Sequence, residues 1–233
     1  MRVAALVPAY QAAAHLGEVL LGIAALREPP EVLVVDDGSR DATAEVARRF
    51  GARVLSFAGN RGKGNALIAG FAELKEFDGV ITIDADGQHP PECIPALVSA
   101  ASFADLVLGV RARTPDMPPA RRLANRFSSD WASRLAGQRV SDSQCGYRLY
   151  RRAVLQRTPF TPGRYELETE IVVRAARLGF RLAEVEVPTV YGEEKSQIRA
   201  LQDVPRIFGT MLRLDVERWL PPRAMREAMR EVR

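Results

Sequence analysis

Short apolar runs alternate with longer amphipathic segments along the first 110 residues of the chain. We expect strands at Val3–Pro8, Glu31–Asp36, Arg53–Phe57, Gly79–Asp84 and Asp105–Val110. The segments between them have helical spacing, at about Ala12–Leu26, Asp41–Phe50, Lys63–Glu76 and Pro91–Ala101. Continuous apolar runs such as the one from Val32 to Val35 are typical of strands covered on both faces. The pattern predicts an α/β fold with a mainly parallel open sheet flanked by helices.

After residue 111 the pattern becomes less regular. We expect helices at Arg121–Leu135, Glu166–Leu178 and Val204–Leu220, and strands at Gly146–Tyr150 and Phe180–Val187. The charged tail from Pro221 onward is predicted to be frayed. Since no repeat or linker divides the chain, we expect one α/β domain over residues 1–200. A C-terminal amphipathic helix and charged tail would occupy residues 201–233.

Polar residues cluster where the predicted strands end. They are Tyr10, Asp36, Asp37, Asp84, Asp86 and Arg111. Open sheets of this class bind ligands in the crevice at the carboxyl ends of their strands. Asp also caps helices, but Ser39 or Asp41 is the natural cap of the next helix, which leaves Asp36 and Asp37 without that explanation. We therefore expect a binding site at this edge.

Composition narrows the class of protein. Of 233 residues, 47% are hydrophobic and 27% charged, which is typical of a globular protein. Cys93 and Cys145 are far apart and the chain has two histidines, so a disulfide scaffold or a Cys/His zinc site is excluded and a cytoplasmic location is expected. The apolar stretch Val3–Leu26 is interrupted by Pro8, so we expect no membrane span.

Charge is unevenly distributed along the chain. Residues 1–110 carry 9 basic and 14 acidic side chains, whereas residues 111–164 carry 12 basic and 3 acidic ones. This local excess predicts an anionic partner, and arginine is well suited to phosphate. A solvated basic surface is the alternative. The region has few aromatic side chains for stacking on bases, so we expect no nucleic acid partner.

The segment from Val80 to Pro91 carries the strongest chemical signal. An apolar strand leads into Asp84, Ala85, Asp86, Gln88 and His89. Hard divalent cations prefer oxygen ligands, and Mg²⁺ commonly takes one or two carboxylates together with substrate phosphates. The pattern predicts a metal and diphosphate site. Aspartates that cap the following helix are the alternative.

Two further loops suit a nucleotide ligand. In the first, Gly38 permits a tight turn while Asp37 can accept hydrogen bonds from a base or a ribose. The second, Asn60–Ala66, is rich in glycine and lets backbone approach a ligand. It does not match the Walker A or dinucleotide-binding patterns, because Lys63 is followed by Gly64 and the position three beyond Gly64 is leucine.

Together these motifs resemble the family 2 glycosyltransferases of the GT-A fold. They are Pro8-x-Tyr10, Val35-Asp-Asp-Gly-Ser39, Gly62-Lys-Gly-x-Ala66 and Asp84-Ala-Asp-Gly-Gln-His-Pro-Pro91. The likeness continues through Gly109-Val-Arg111, Arg121–Arg126, Asp142–Arg148 and Glu186-Val-Pro188. The branch that the chain resembles is the polyprenyl-phosphate sugar synthases, which include dolichyl-phosphate mannosyltransferase.

The resemblance implies roles for individual residues. The residues that would bind the nucleotide-sugar donor are Pro8, Tyr10, Val35, Asp37, Lys63, Asp84, Ala85, Asp86 and Gln88. Of these, Asp84, Asp86 and Gln88 would hold Mg²⁺ or Mn²⁺. Arg111 and Arg121, with Asn125 nearby, would bind the phosphate of a polyprenyl-phosphate acceptor. Arg122 and Arg126 belong either to this group or to a solvated helix surface.

The chain departs from the family pattern in two places. The usual Pro-x-Tyr-Asn-Glu ends here in Gln11 and Ala12, so one carboxylate near the donor is missing. The late loop Tyr191–Gln197 differs from the usual Arg and Gly-x-Ser-Lys, and Lys195 or Arg199 would supply the cation there. Neither the sugar nor the nucleotide is therefore specified.

The expected reaction is an inverting transfer, in which an acceptor phosphate oxygen attacks the anomeric carbon. Because a phosphate is already ionised, it needs positioning by arginine rather than a general base. A sugar hydroxyl acceptor would need a base, for which Asp142 is the candidate, although a structural hydrogen bond explains Asp142 equally well. Rival interpretations are a nucleotidyltransferase and a nucleotide-sugar-binding protein without turnover.

An apolar stripe with helical spacing runs along the last predicted helix. Its members are Val204, Ile207, Phe208, Met211, Leu212, Val216 and Trp219. It would either lie on a membrane surface, at the inner face if the protein is peripheral, or pack against the domain or a second subunit.

Overall fold

One seven-stranded sheet organises the fold. The computed structural model describes residues 1–111, 119–163, 166–188 and 200–231. The strands are β1 (Val3–Ala9), β2 (Glu31–Asp36), β3 (Arg53–Ser56), β4 (Gly79–Thr82), β5 (Leu106–Arg111), β6 (Arg148–Arg151) and β7 (Leu182–Val187). Their order in the sheet is β3-β2-β1-β4-β6-β5-β7.

Helices cover both faces of this sheet. They are α1 (Ala13–Ala24), α2 (Thr43–Arg49), α3 (Lys63–Glu73), α4 (Ile94–Ala100), α5 (Pro119–Ala136), α6 (Arg152–Arg157), α7 (Glu166–Arg177), α8 (Ala200–Val216) and α9 (Arg223–Glu231). A short 3₁₀ turn, Pro91–Cys93, precedes α4 because proline suits the first turn of a helix.

The strand pairing is mainly parallel, as predicted. Strand β1 pairs in parallel with β2 and β4, β2 with β3, and β5 with β7. Only β6 runs antiparallel within the described residues, between β4 and β5. Because β6 is antiparallel to both β4 and β5, strands β4 and β5 run in the same direction. The predicted mainly parallel α/β sheet is confirmed.

Two apolar cores lie on opposite faces of the sheet. Successive residues of β1 alternate between them, since Leu6 packs with α3 and α7 on one face and Val7 with α1 on the other. Both residues are fully buried. This double burial explains why the strands are continuous apolar runs instead of alternating patterns.

The C-terminal tail is the main correction to the predicted elements. The charged sequence after Pro221 was expected to be frayed, but it forms α9, and Met225 and Ala228 on this helix are buried. Pro222 precedes the helix, and the Pro222 carbonyl accepts the amide N–H of Arg226. Met225 and Ala228 lie one turn apart, so this short helix packs through one side although most of its other residues are charged.

None of the helices in the described part of the chain combines the length and the apolar composition needed to cross a bilayer.

Candidate active site

The predicted site lies along one edge of the sheet. Strands β1, β2, β4 and β5 all direct their carboxyl ends to that edge. The chain builds the sheet outward through β2 and β3 and then returns to the other side of β1 at β4, so a topological switch point lies between β1 and β4. Ligand crevices of open α/β sheets occur at such points. Tyr10, Asp36, Asp84 and Arg111 therefore share one edge.

Asp37 fixes the glycine-rich loop beside the first two strands. Its buried carboxylate accepts the backbone N–H groups of Arg61, at 2.6 Å from Oδ1, and Gly62, at 2.7 Å from Oδ2. Gly38 has φ of +72°, and a Cβ there would lie 2.4 Å from the carbonyl carbon of Gly59. Only glycine allows this approach. The Asp37–Gly38 turn thus holds the Asn60–Ala66 loop against the end of β2.

Pro8 and Val35 form the floor next to this turn. They are partners in the β1–β2 ladder, with Val35 fully buried and Pro8 partly exposed. Tyr10 is the first residue after β1 and is also partly exposed. The three residues that were predicted to contact a nucleoside together with Asp37 are therefore adjacent to it.

Gln11 replaces a residue that is usually asparagine in this pattern, and the structure gives it a local role. Among the described residues it is the only non-glycine residue with a positive φ, of 52°. Its side-chain Oε1 accepts the N–H of Arg40 at 2.8 Å, and its own N–H donates to Ser39 Oγ at 2.9 Å. Gln11 therefore joins the end of β1 to the loop after β2.

Lys63, the first residue of α3, lies between two carboxylates. Its ammonium nitrogen is 2.7 Å from Asp84 Oδ1 and 3.2 Å from Glu168 Oε2. Burial alone would lower the pKa of Lys63, but the two carboxylates raise that pKa above its usual value. Lys63 in turn holds the pKa of Asp84 below its usual range, against the effect of burial. Lys63 and Asp84 are therefore an ion pair at neutral pH.

Gly146 makes room for this ion pair. A Cβ at position 146 would lie 2.6 Å from Lys63 Nζ and 2.7 Å from Asp84 Oδ2. Any larger residue would displace one of the two charged groups. Strand β6 begins two residues later and pairs with β4, which brings residue 146 alongside Asp84.

A tight turn links the two aspartates to the next helix. Asp86 Oδ1 accepts the N–H of Gln88 at 3.0 Å, and Gly87 has φ of +72°. Ala85 is buried, whereas Asp86 and Gln88 are partly exposed. His89 is buried, which lowers its pKa, so the imidazole is neutral at pH 7. The turn therefore leaves the side-chain oxygen atoms of Asp86 and Gln88 accessible, while Ala85 and His89 are buried.

The donor chemistry of Asp84, Asp86 and Gln88 fits a hard divalent cation. Two carboxylates and one amide offer oxygen atoms, the ligands that Mg²⁺ and Mn²⁺ prefer. Across the residues that the structure describes, no three His, Cys, Asp or Glu side chains cluster in a way that could hold a metal ion. A cation here would therefore need further ligands from a phosphate group or from water.

Arg111 and Asp142 form the opposite side of the site. Arg111 Nε donates to Asp142 Oδ2 at 2.7 Å and Nη2 donates to Oδ1 at 3.0 Å, and both side chains are 8% exposed. Asp142 also accepts the N–H of Gln144 at 3.0 Å. Although burial would raise the pKa of Asp142, its bonds with Arg111 hold the pKa below its usual range. An ionised carboxylate held in this way orients Arg111 and is a weak base.

The remaining predicted site residues lie either on α5 or outside the described residues. Asn125 is partly exposed on α5, one turn before Ser128, whose hydroxyl is 3.1 Å from Ser143 Oγ. Arg121 and Arg122 belong to α5 by their backbone, but their side chains are not described. Lys195 and Arg199 lie outside the described residues.

Sequence reasoning missed Glu168 and assigned no role to Arg148. Arg148 is fully buried, and its guanidinium donates to the carbonyl oxygens of Cys145, Ser143 and Glu168 at 2.6–2.8 Å. It thereby ties the loop before β6 to the first turn of α7. An acidic residue in the first turn of a helix is ordinarily explained by the helix dipole, so the sequence gives no sign that Glu168 reaches Lys63.

Helix α5, helix α8 and the residues just after α8 carry an apolar surface that is exposed or partly exposed. We name it the aromatic surface; its residues are Leu123, Phe127, Trp131, Phe208, Leu212, Val216, Trp219 and Leu220. The Trp131 ring centroid lies 5.7 Å from that of Phe127 and 5.2 Å from that of Phe208, which joins the two helices. The opposite side of α8 packs on the domain through Met211 and Leu214, both buried. The predicted stripe on α8 is therefore divided between packing and exposure.

Comparisons with known proteins agree with this architecture. Residues 4–158 match the model of the glycosyl transferase family 2. The undecaprenyl-phosphate mannosyltransferase of Micrococcus luteus is 35% identical over 214 residues, which cover 84% of this chain and 85% of that protein. An undecaprenyl-phosphate 4-deoxy-4-formamido-L-arabinose transferase of Edwardsiella ictaluri is 37% identical over 164 residues, which cover 66% of this chain and 50% of that protein.

A solved structure has a similar fold. Glucosyl-3-phosphoglycerate synthase from Mycobacterium tuberculosis, in complex with uridine diphosphate, superposes with a TM-score of 0.71 at 27% identity, covering 91% of this chain and 79% of that chain. Another structure of that enzyme contains Mn²⁺, uridine diphosphate and glucosyl-3-phosphoglycerate, with a TM-score of 0.72 at 24% identity and the same coverage. The chain therefore belongs to glycosyl transferase family 2 and is a glycosyltransferase with the GT-A fold.

Proposed function

We propose that this glycosyltransferase moves a hexose, with inversion, from a nucleotide sugar of the GDP-mannose or UDP-glucose type to a polyprenyl phosphate. The observation that carries the proposal is the convergence of Asp84, Asp86 and the Asp142-held Arg111 on one sheet edge. Relatives named as undecaprenyl-phosphate sugar transferases support the acceptor.

The donor would lie across the switch point between β1 and β4. Pro8, Tyr10, Val35 and Asp37 would surround the nucleoside, because they line the ends of β1 and β2. Asp37 already accepts two backbone N–H groups, so its part is to shape the pocket as much as to contact the ligand. The diphosphate would reach the turn that contains Ala85.

Asp84, Asp86 and Gln88 would hold a Mg²⁺ or Mn²⁺ ion together with the diphosphate. When bound, such an ion supplies Lewis-acid stabilisation of the charge that develops on the departing nucleoside diphosphate. The M. tuberculosis relative that was solved with Mn²⁺ and uridine diphosphate supports this assignment. Lys63 supplies a permanent positive charge next to Asp84 and belongs to the same donor site.

Arg111 would orient the acceptor phosphate, with Arg121, Asn125 and Lys195 completing the anion site. The bidentate contact with Asp142 fixes the guanidinium plane of Arg111, and a fixed fork costs little reorganisation when a phosphate binds. An ionised phosphate oxygen attacks without giving up a proton. Asp142 therefore has no proton to accept in this reaction and serves to position Arg111.

A second candidate is transfer to the hydroxyl group of a small phosphorylated acid. The likeness to glucosyl-3-phosphoglycerate synthase over 91% of the chain favours it. In that case a base is needed, and Asp142 would have to leave Arg111 to act as one.

One assay separates the candidates. The protein is incubated with radiolabelled GDP-mannose or UDP-glucose, Mn²⁺, and either undecaprenyl phosphate or 3-phosphoglycerate. We expect label in the lipid phase and release of a nucleoside diphosphate. Label in the aqueous acid favours the second candidate, and pyrophosphate release would identify a nucleotidyltransferase. Donor binding with no transfer to either acceptor contradicts the proposal.

We also propose that the aromatic surface places the enzyme peripherally on the inner face of a membrane, where a lipid acceptor resides. Helix α5 carries both the proposed acceptor residues and part of this surface. Arg126, Arg206 and Arg218 are exposed and adjoin the apolar residues in the sequence, which complements anionic headgroups. Both cysteines are free thiols, in keeping with a cytoplasmic location.

Tryptophan fluorescence tests this contact. Because the chain has two tryptophans, Trp131→Phe leaves Trp219 alone, and Trp219 is 83% exposed. We expect its emission to shift to the blue with phosphatidylglycerol vesicles. Phe127→Glu should abolish the shift and Phe103→Glu should not, although both phenylalanines are 59% exposed. An unshifted spectrum would indicate that the surface does not dock on a membrane. A change in sedimentation coefficient caused by Phe127→Glu would instead indicate that the surface is a dimer interface.

A further inference from the structure

The ion triad of Lys63, Asp84 and Glu168 contains one positive group and two negative groups. Lys63 Nζ is 2.7 Å from Asp84 Oδ1 and 3.2 Å from Glu168 Oε2. The side chains of Lys63, Asp84 and Glu168 are 15%, 27% and 6% exposed, so the two carboxylates differ in their access to a ligand. Asp84, the more exposed carboxylate, is a predicted cation ligand, whereas Glu168 is nearly inaccessible to solvent.

Glu168 is incompletely bonded in this arrangement. Its Oε1 atom is buried and has no hydrogen-bond partner among the described residues. A buried carboxylate oxygen without a donor is costly, and a functional role for the group is one explanation of such an atom. The first turn of α7 favours a negative charge at Glu168, which keeps it available as an acceptor.

A cation on Asp84 would compete with the Lys63 ammonium. A cation bound to either oxygen of Asp84 would lie close to the Lys63 ammonium, and two positive charges at that separation repel each other at this partly desolvated position. The ammonium carries three donors on a flexible stem and already lies 3.2 Å from Glu168, so a small movement completes that contact. No bond is made or broken; one cation replaces another.

We propose that Lys63 is a resident counter-ion of Asp84 that moves onto Glu168 when a divalent cation binds Asp84. Glu168 is then a positioning residue: it receives the displaced ammonium and keeps that charge from opposing the metal. The inference rests on the metal use in the proposed function and extends it to residues on α3 and α7. Its consequence is that Glu168 affects metal affinity through Lys63.

A double-mutant cycle on the full chain measures this dependence. Binding of Mn²⁺ alone is followed by the electron paramagnetic resonance signal of the free ion for the wild type, Glu168→Gln, Lys63→Met and the double variant. We expect Glu168→Gln to weaken Mn²⁺ binding by about tenfold in the wild type, within the range of coupling between contacting groups. With Lys63→Met, the same change should alter affinity by less than about twofold.

Each outcome has a distinct meaning. If Glu168→Gln weakens Mn²⁺ binding equally in the wild-type and Lys63→Met backgrounds, the effect is long-range electrostatics and the exchange is overturned. The proposed function is unaffected by that result as long as the wild type binds Mn²⁺. A wild type that binds no Mn²⁺ alone overturns the exchange, and a wild type that binds no Mn²⁺ even with a nucleoside diphosphate present overturns the proposed function as well.

Lysine NMR provides a test without substitution, in case a variant does not fold. The chain has three lysines, Lys63, Lys75 and Lys195, so a protein labelled at the lysine side chains gives few signals. Saturating Mg²⁺ should shift the Lys63 signal and leave exposed Lys75 unchanged. A Lys63 signal that does not move at saturation overturns the exchange.

Discussion

The two sides of the cleft are built in different ways. On the proposed donor side, the Asp37 carboxylate is fixed by the backbone N–H groups of Arg61 and Gly62, and Asp84 is paired with the Lys63 ammonium. On the acceptor side, Arg111 is held by the side chain of Asp142, 31 residues away in sequence. The proposed donor side is thus held by backbone hydrogen bonds together with an ion pair, whereas Arg111 on the proposed acceptor side is oriented by its ion pair with Asp142. The same division appears in the sequence, where acidic residues predominate before residue 111 and basic ones after it.

The largest effect is expected on the donor side. Asp86→Asn removes a charge from the proposed cation site and should lower kcat/KM by roughly 10³-fold, the upper end of losses seen when one charge-stabilising group is removed. The measurement is transfer of radiolabelled sugar to undecaprenyl phosphate. Asp78→Asn is the matched control, since exposed Asp78 precedes β4 at the opposite edge of the sheet and should leave the rate unchanged. Equal rates for both variants would remove Asp86 from the mechanism.

On the acceptor side, the main effect of Asp142→Asn should be on stability. It leaves the buried Arg111 guanidinium without its charged partner, which should lower the free energy of unfolding by about 3 kcal/mol in urea titrations. We expect turnover of the folded variant with undecaprenyl phosphate to fall by less than about tenfold, because no proton is transferred. A loss of several orders of magnitude with unchanged stability would instead identify Asp142 as a base.

The difference in unfolding free energy between the wild type and Asp142→Asn should depend on pH, which gives an independent check of the ion pair. Because Arg111 lowers the pKa of Asp142 in the folded state, the stabilisation is fully present above the unfolded-state pKa of about 3.9. It is lost as pH falls through the lower folded-state pKa. Unfolding free energies of the wild type and Asp142→Asn should therefore converge in acid below about pH 4. A constant difference down to pH 2 would contradict the ion-pair account.

A smaller effect is expected at the junction of the two sides. Gly146→Ala places a Cβ against Lys63 Nζ and Asp84 Oδ2, and the resulting displacement should lower kcat/KM by about 10- to 100-fold. Gly209→Ala on α8 is the control, since nothing lies within 4 Å of its added Cβ. That change should leave activity intact and raise stability by about 0.5–1 kcal/mol. Wild-type activity in Gly146→Ala would show that the Lys63–Asp84 geometry is not critical.

Local sequence was sufficient to predict the strands and turns that form the proposed donor side. The strand, turn and carboxylate spacing around Asp37 and Asp84 lies within a few residues, so the α/β class and the converging strand ends could be predicted before any contact was known. The resemblance to family 2 also rested mainly on these segments, and the family match covers them.

Long-range contacts were not predictable in the same way. Glu168 approaches Lys63 across 105 positions, and nothing in either local pattern couples them. The sequence offered two roles for Asp142, and its contact with Arg111 lies outside both local patterns. The tail after Pro221 has the composition of a frayed end, and its docking depends on the surface offered by other elements, so composition alone gave the wrong answer.

The central claim is that Asp84 and Asp86 hold a divalent cation that anchors the donor opposite Arg111. Anomalous diffraction at the manganese edge, from crystals soaked with Mn²⁺ and a nucleoside diphosphate, tests it directly. The account predicts one strong peak in coordination contact with the carboxylates of Asp84 and Asp86 and with the diphosphate. A bound nucleotide with no anomalous peak at these two carboxylates would contradict it.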